Sequence, residues 1–316
     1  MSGAARAIAL AIIVAALAAV PWIGNAVLVQ FGINVLLLAT LAQGWNIIGG
    51  YTGYPSFGNS VFYGLGAYGV AIAMVQYHLP FWVGMLLGLA LAVAFAALIG
   101  LAVLRLKGHY FAICTLGLAF VMTAIVSNLE IAGSNIGLVL PLLKSEVLFY
   151  ELALGLLVLA TLTIFWLARS RFGFGLIAIR ENEEGAAVMG VNTTLYKVLA
   201  FMLSAAFTSL AGGIYAYYIT FIDPVGVFDV GLNVKMIIMA VFGGPGSVLG
   251  PVAGAFILST ISEVLATKVT SIASMFFGVV IVVAVVFMPR GIAHLLRNIR
   301  ALGWGYFADN VRKHRL

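Results

Sequence analysis

The chain has 316 residues, 64% hydrophobic and 8% charged, with a net charge of +6 and a mean hydropathy of +1.16. A soluble domain is about half apolar and about a quarter charged, and a chain this long exposes too much surface to hide such an excess. Soluble enzymes, secreted modules and disordered tails are excluded. The apolar runs are continuous and about twenty residues long, as a helix crossing the hydrocarbon core requires. Barrel strands would alternate and be about half that length. The expected fold class is an all-α polytopic membrane protein.

Ten apolar segments follow in order, at about 7–23, 26–48, 57–77, 81–104, 109–129, 147–168, 196–220, 230–245, 248–266 and 271–289. Residues 1–24 have the outline of a signal peptide, but a single Arg6 makes a weak basic start, and the segment reads as the first span. The third segment is the least span-like, being rich in Gly and Tyr. The eighth and ninth are separated only by Gly243-Gly244-Pro245-Gly246-Ser247, which predicts a tight turn, a break or a re-entrant loop.

Basic residues orient the spans. With the N-terminus inside, the cytoplasm receives Arg6, Arg105, Lys107, Arg169, Arg171, Arg180, Lys197, Arg290, Arg297, Arg300, Arg312, Lys313 and Arg315. Only Lys144, Lys235 and Lys268 fall outside. Cytoplasmic loops attract Lys and Arg, so both termini are placed in the cytoplasm. The net charge then reflects basic loops and not nucleic-acid binding. The tail, 290–316, sets basic residues around Trp304, Tyr306 and Phe307, a pattern suited to anionic membrane lipid.

The long polar segment is 169–195, RSRFGFGLIAIRENEEGAAVMGVNTTL. Gly173 and Gly175 are expected to break the sixth span. A short helix is expected from Leu176 to Gly190, with Ile179, Glu183, Ala186, Ala187 and Gly190 on one face and Arg180, Glu181 and Glu184 on the others. Asn192, Thr193 and Thr194 are placed to cap the next span. A solvated loop is the ordinary fate of a charge run; a helix that mixes charges with small residues also suits docking to a soluble partner.

Gly64-Leu65-Gly66-Ala67-Tyr68-Gly69 matches the letters of a dinucleotide fingerprint, and Gly173-Phe174-Gly175-Leu176-Ile177-Ala178 does so loosely. Neither follows a strand of a βαβ unit, so neither is read as a nucleotide site. Small residues instead recur at helical spacing: Ser60, Gly64, Ala67 and Ala71; Ser204, Thr208, Gly212 and Ala216; Gly246, Gly250 and Gly254. Such stripes let membrane helices approach closely. There is no Walker loop, the four histidines are scattered, and Cys114 is the sole cysteine. No catalytic set and no metal site are expected.

Polar residues at membrane depth are Asn46, Ser56, Asn59 and Thr115. The run Gly49–Asn59 combines glycines with Pro55, and irregular backbone at such depth must be buried in protein or line a cavity. Gly53, Tyr54, Ser56, Gly58, Asn59 and Tyr63 are therefore candidates for a substrate pathway, with close helix packing as the competing reading.

Three blocks resemble the permease subunit of branched-chain amino acid ABC importers of the LivM type: NIIGGYTGYPSFGNSVFYGLGAY (46–68), GHYFAICTLG (108–117) and RSRFGFGLIAIRENEEGAAVMGVNTTLYKVLAFMLSAAFTSLAGGIYA (169–216). The likeness continues through FGGPGSVLGPVAGA (242–255) and departs at Pro55 and at Asn59, where members often have His. The resemblance implies one permease domain over 1–316, similar to type II importers, in a bacterial inner membrane. It implies two ATP-binding subunits, a second homologous permease and an extracytoplasmic substrate-binding protein, with ATP used by those partners and no cofactor here. The family's loop against the ATPase corresponds to Arg180, Glu181, Asn182, Glu183 and Glu184 through Ala187 to Gly190. Urea or short-chain amide permeases stay open as alternatives. An ion-coupled transporter would place ionisable groups at mid-membrane, and Glu130, Lys235 and Glu263 are read near span ends.

Overall fold

A computed structural model describes residues 3–143 and 145–268. Lys144, the expected tenth span at 271–289 and the basic tail 290–316 lie outside the described residues. The helices are α1 (Gly3–Ile23), α2 (Ala26–Trp45), α3 (Asn59–Val75), α4 (Phe81–Val103), α5 (His109–Ser127), α6 (Glu146–Leu167), α7 (Arg171–Glu181), α8 (Glu183–Val188), α9 (Thr193–Ile219), α10 (Pro224–Val227), α11 (Val230–Gly243) and α12 (Gly250–Lys268). A π-helical turn, Asn46–Tyr51, continues α2. Two short strands, β1 (Leu138–Val139) and β2 (Phe221–Ile222), pair antiparallel with Leu138 opposite Ile222.

Among the described residues, six helical stretches have the length and composition of a membrane span: Ala26–Tyr51, Phe81–Val103, His109–Ser127, Glu146–Leu167, Thr193–Ile219 and Pro224–Gly243. Ile12–Ile23, Asn59–Val75 and Gly250–Leu265 are shorter apolar helices. The chain is thus an all-α polytopic membrane protein.

The helix with the least span-like sequence, α3, is the centre of the bundle, packed between α4 and α9. Its Gly and Ser residues explain this. A Cβ on Gly66 would stand 1.9 Å from the Ser209 carbonyl oxygen, and one on Gly212 would stand 2.1 Å from that of Tyr63. Backbones that close tolerate no side chain between them, which is what a small-residue stripe provides. On its other side, Gly69 faces Gly88 of α4. Helix α4 buries Gly84, Gly88, Ala92, Ala96 and Gly100, one every fourth residue, and turns its leucines outward.

The span Pro224–Gly243 is broken. Asp223 caps α10 by accepting from Gly226 N, and Asp229 caps α11 by accepting from Gly231 N. Between them, the Phe228 carbonyl accepts from Ser60 Oγ at 3.2 Å, and Asn233 exchanges two 2.7 Å hydrogen bonds with Ser60. Because α10 extends this span upstream of 230, Lys235 lies well inside it and not near its end. The segment 243–247 is a turn with positive φ at Gly244 and Gly246, and it returns α12 against α11. There Gly243 meets the Gly250 carbonyl oxygen, and Gly254 meets that of Met239.

The molecule has two distinct ends. The loop end gathers the π-helical turn, the C-terminus of α4, α7, α8 and the start of α9. The opposite end carries the β1–β2 pair and Glu146, which accepts from Gln30 at 2.9 Å.

Candidate functional site

The loop end is built from α7 and α8. Ser170, not Gly173 or Gly175, marks the break after α6: its Oγ accepts from Gly173 N at 3.0 Å and starts α7. The two glycines lie inside α7. A Cβ on Gly173 would meet the Leu167 carbonyl oxygen at 1.9 Å, and one on Gly175 the Tyr196 ring at 2.3 Å. They let α7 fold back onto α6 and α9. The single helix expected from Leu176 to Gly190 is two helices. Asn182 is extended (φ −159°, ψ 106°), and its side chain accepts from Gly185 N at 2.9 Å. Asn side chains compete in this way with helix continuation. Asn192 caps α9 by accepting from Leu195 N at 3.0 Å.

Helix α8 is rooted by a buried ionic cluster. Lys197 Nζ donates to Glu183 Oε1 at 2.6 Å, to Tyr54 OH at 3.0 Å and to the Leu104 carbonyl at 2.8 Å. These use all three ammonium donors. Tyr54 OH donates to Glu183 Oε2 at 2.5 Å, and its ring packs edge-on against Phe111. Lys197 is 4% exposed. Burial pushes the Glu183 carboxyl up, but the hydrogen bonds from Lys197 and Tyr54 and the charges of Lys197 and Lys107 outweigh it and hold it below its ordinary 4.5. The Tyr54 hydroxyl is raised, first by burial and then by Glu183.

Arg180 is a second root. Its Nη1 donates to the Gly50 carbonyl at 3.0 Å, while Nε and Nη2 hold Glu181. Gly53 and Gly246 both have φ of +74°, and a Cβ on either would stand 2.7 Å from Arg180. Asn46 then pins the turn, accepting from Gly246 N at 2.8 Å and donating to the Ser247 carbonyl at 3.0 Å. Gln43 donates to the Val248 carbonyl at 2.8 Å. Arg180 therefore joins the loop to the π-helical turn and to the α11–α12 turn.

Beyond these roots the loop is open. Glu184 meets Lys107 at 3.1 Å on the surface, where an ion pair is worth little. Ala187 and Gly190 are exposed, and Val188 and Met189 project at 87% and 84% exposure.

The six residues grouped as a pathway do not share one surface. Gly53 and Tyr54 belong to the roots of the loop. The Ser56 carbonyl accepts from Trp45 Nε1 at 2.8 Å, and a Cβ on Gly58 would meet the Thr115 carbonyl at 2.7 Å. Asn59 Nδ2 donates to Ser204 Oγ at 3.0 Å, its Oδ1 has no hydrogen-bond partner among the described residues, and Tyr63 is buried beside Tyr215.

Sequence reasoning missed Lys197 as a site residue by counting it with the cytoplasmic loop cations. Its signal was a lone charge at the head of a long apolar run, four residues into α9, where a charge requires a partner. Gln43 and Asn233 were missed for want of any local pattern.

The family described as branched-chain amino acid transport system / permease component matches residues 26–285. The chain is 28% identical over 301 residues to the high-affinity branched-chain amino acid transport system permease protein LivM of Salmonella typhimurium, covering 85% of this chain and 70% of that one. It is 28% identical over 294 residues to LivM of Escherichia coli, covering 83% and 69%. Over 159 residues it is 33% identical to the autoinducer 2 import system permease protein LsrC of Salmonella paratyphi B, covering 48% and 45%. No solved structure matches. With residues 26–285 of its 316 matched, the chain belongs to the family of branched-chain amino acid transport system permease components.

Proposed function

We propose that the chain is one permease subunit of an ABC importer that moves branched-chain amino acids into the cytoplasm, driven by ATP hydrolysis on separate subunits. The observation that carries this reading is the loop α7–α8. Its tip presents Val188, Met189 and Gly190 outward, while Glu183 and Arg180 fasten its base to α9, the π-helical turn and the α11–α12 turn. An exposed tip on a rigid base suits a contact that passes motion from a soluble ATPase to the bundle. On this reading two ATP-binding subunits, a second homologous permease and an extracytoplasmic binding protein complete the assembly. The loop end faces the cytoplasm, ten spans cross a bacterial inner membrane, and both termini are cytoplasmic.

Support for amino acids over autoinducer 2 comes from coverage: the likeness to LivM runs over 85% of the chain and that to LsrC over 48%. Gly58, Asn59 and Tyr63, each buried against a different neighbour, are assigned to the passage near the loop end, where Asn59 Oδ1 has no partner among the described residues. Arg180 through Glu184, Ala187 and Gly190 are assigned to coupling.

The test is uptake of radiolabelled leucine into proteoliposomes holding the complete assembly. ATP-dependent uptake competed by leucine and isoleucine is expected; competition by autoinducer 2 or urea alone overturns the substrate. Replacing Val188 and Met189 with Asp is expected to release the ATPase subunits from a folded permease. Retained ATPases with full substrate-stimulated hydrolysis overturn the coupling assignment. Reversal of Glu183 is a poor test of docking, because it breaks the buried Lys197 pair within the permease itself.

A further inference from the structure

Residues 52–58 join the π-helical turn to α3 without helix or strand, and Thr52, Tyr54, Ser56 and Gly58 are buried. Irregular backbone in such a place needs partners, and this segment has them. Tyr54 N donates to the Ile48 carbonyl at 3.1 Å, and Trp45 Nε1 donates to that of Ser56 at 2.8 Å. Phe57 N donates to Thr115 Oγ1 at 3.1 Å, and Gly58 N to Ser56 Oγ at 3.3 Å. Held by α2 on one side and α5 on the other, the segment is a defined strut and not a slack linker.

One end of the strut touches both helices of the loop. Gly53 lies against Arg180 of α7, with no room there for a side chain. Tyr54 OH sits between the two charges that root α8, donating to Glu183 and accepting from Lys197 at 3.0 Å. The same ammonium stands 4.7 Å from the centre of the Tyr54 ring. The other end of the strut runs directly into Asn59, the first residue of α3. Lys197 already ties α8 to α9, and its third donor holds the Leu104 carbonyl at the end of α4. Tyr54 adds α3, so one cluster connects α8 to all three helices at the centre of the bundle. Backbone contacts at Gly66, Gly212 and Gly69 lock those three together.

We propose that Tyr54 is a positioning residue for transport: its hydroxyl passes a displacement of α8 along the strut to Asn59 and the start of the central helix. The assignment rests on the import function proposed above and names the route by which its loop acts on the passage. Tyrosine suits the role chemically. Its hydroxyl donates to a carboxylate and accepts from an ammonium at once, while its ring fills the space beside Phe111. Phenylalanine fills the same space and makes neither bond.

The experiment uses the complete assembly in proteoliposomes, with uptake of radiolabelled leucine and hydrolysis of ATP measured together. Tyr54→Phe keeps the ring and the Lys197–Glu183 pair. It is expected to leave the ATPase subunits attached and hydrolysing, and to lower the leucine imported per ATP about tenfold, the size of one lost hydrogen bond to a charged group. A purely structural role lowers uptake and hydrolysis together and leaves their ratio at the wild-type value; a wild-type ratio therefore overturns the assignment. Hydrogen exchange gives a second readout. Adding ATP with vanadate is expected to change the protection of the amides of residues 56–60 in the wild-type assembly and to change it far less in Tyr54→Phe. An equal response in both, or none in the wild type, overturns the assignment. A wild-type assembly that moves no leucine overturns the import function instead, and the exchange measurement then still decides whether Tyr54 links the loop to α3.

Discussion

Helices α4 and α9 both pack against α3, yet they are opposites. Helix α4 has no hydroxyl, amide or charged side chain; α9 carries Lys197, Ser204, Thr208, Ser209 and four tyrosines. Of the apolar stretch of each, 28% is buried in α4 and 67% in α9. In water the more apolar helix would be the interior one. In a bilayer the tails are as apolar as leucine, so hydrophobicity does not select the interior; small and polar residues do, through close packing and hydrogen bonds. Leucines mark the lipid face of α4, while Gly66, Gly212, Ser204 and Lys197 mark the core.

The sharpest way to break this contrast is at Lys197. Lys197→Met leaves Glu183 without its cation and is expected to cost about 3–5 kcal/mol near neutral pH, as for one partner removed from a buried pair. The pH dependence has a definite sign. Glu183 titrates below 4.5 in the folded protein, so the stability it contributes is present above that value and lost as pH falls through the lower folded one. Thermal unfolding in detergent should find the wild type losing stability in that acid window. The deficit of Lys197→Met should shrink there as Glu183 takes a proton. A deficit independent of pH would remove the ion pair from the account.

Gly66→Ala comes next. Its added carbon would sit 1.9 Å from the Ser209 carbonyl oxygen, so α3 and α9 must separate, at about 1–3 kcal/mol. Unchanged unfolding would mean that the two backbones are not in contact. Ser204→Ala is smaller: it takes one partner from Asn59, and single hydrogen bonds between membrane helices average about 0.6 kcal/mol. The smallest effect is expected on α4, where Leu98 is 68% exposed. Leu98→Ala should stay within about 0.5 kcal/mol of wild type, and a larger loss would place that face against protein instead of lipid.

Much of the fold was legible, and for the same reason the rest was not. Apolar runs of span length, the small-residue stripe of α9 and the cap at Asn192 are local patterns with local causes. Where the reading missed, a side chain answered to a distant one. Gly173 and Gly175 looked like breakers but serve contacts with Leu167 and Tyr196. Lys197 looked like a loop cation but closes on Glu183, Tyr54 and the Leu104 carbonyl. Tyr54 and Gly53 were grouped with Asn59 because they are neighbours in sequence, whereas Arg180 and Glu183 claim them for the loop.

By itself the sequence determined that this is a helical membrane protein whose small residues let helices approach closely, because composition, run length and small-residue spacing act within one helix. Only the tertiary structure decided that the least span-like helix is the central one and that Arg180 bridges two turns, at Gly50 and at Gly246, each more than sixty residues from its own place in the chain. Those depend on which helices meet, and a charge or an amide finds its partner through space, with no trace in the spacing of its neighbours.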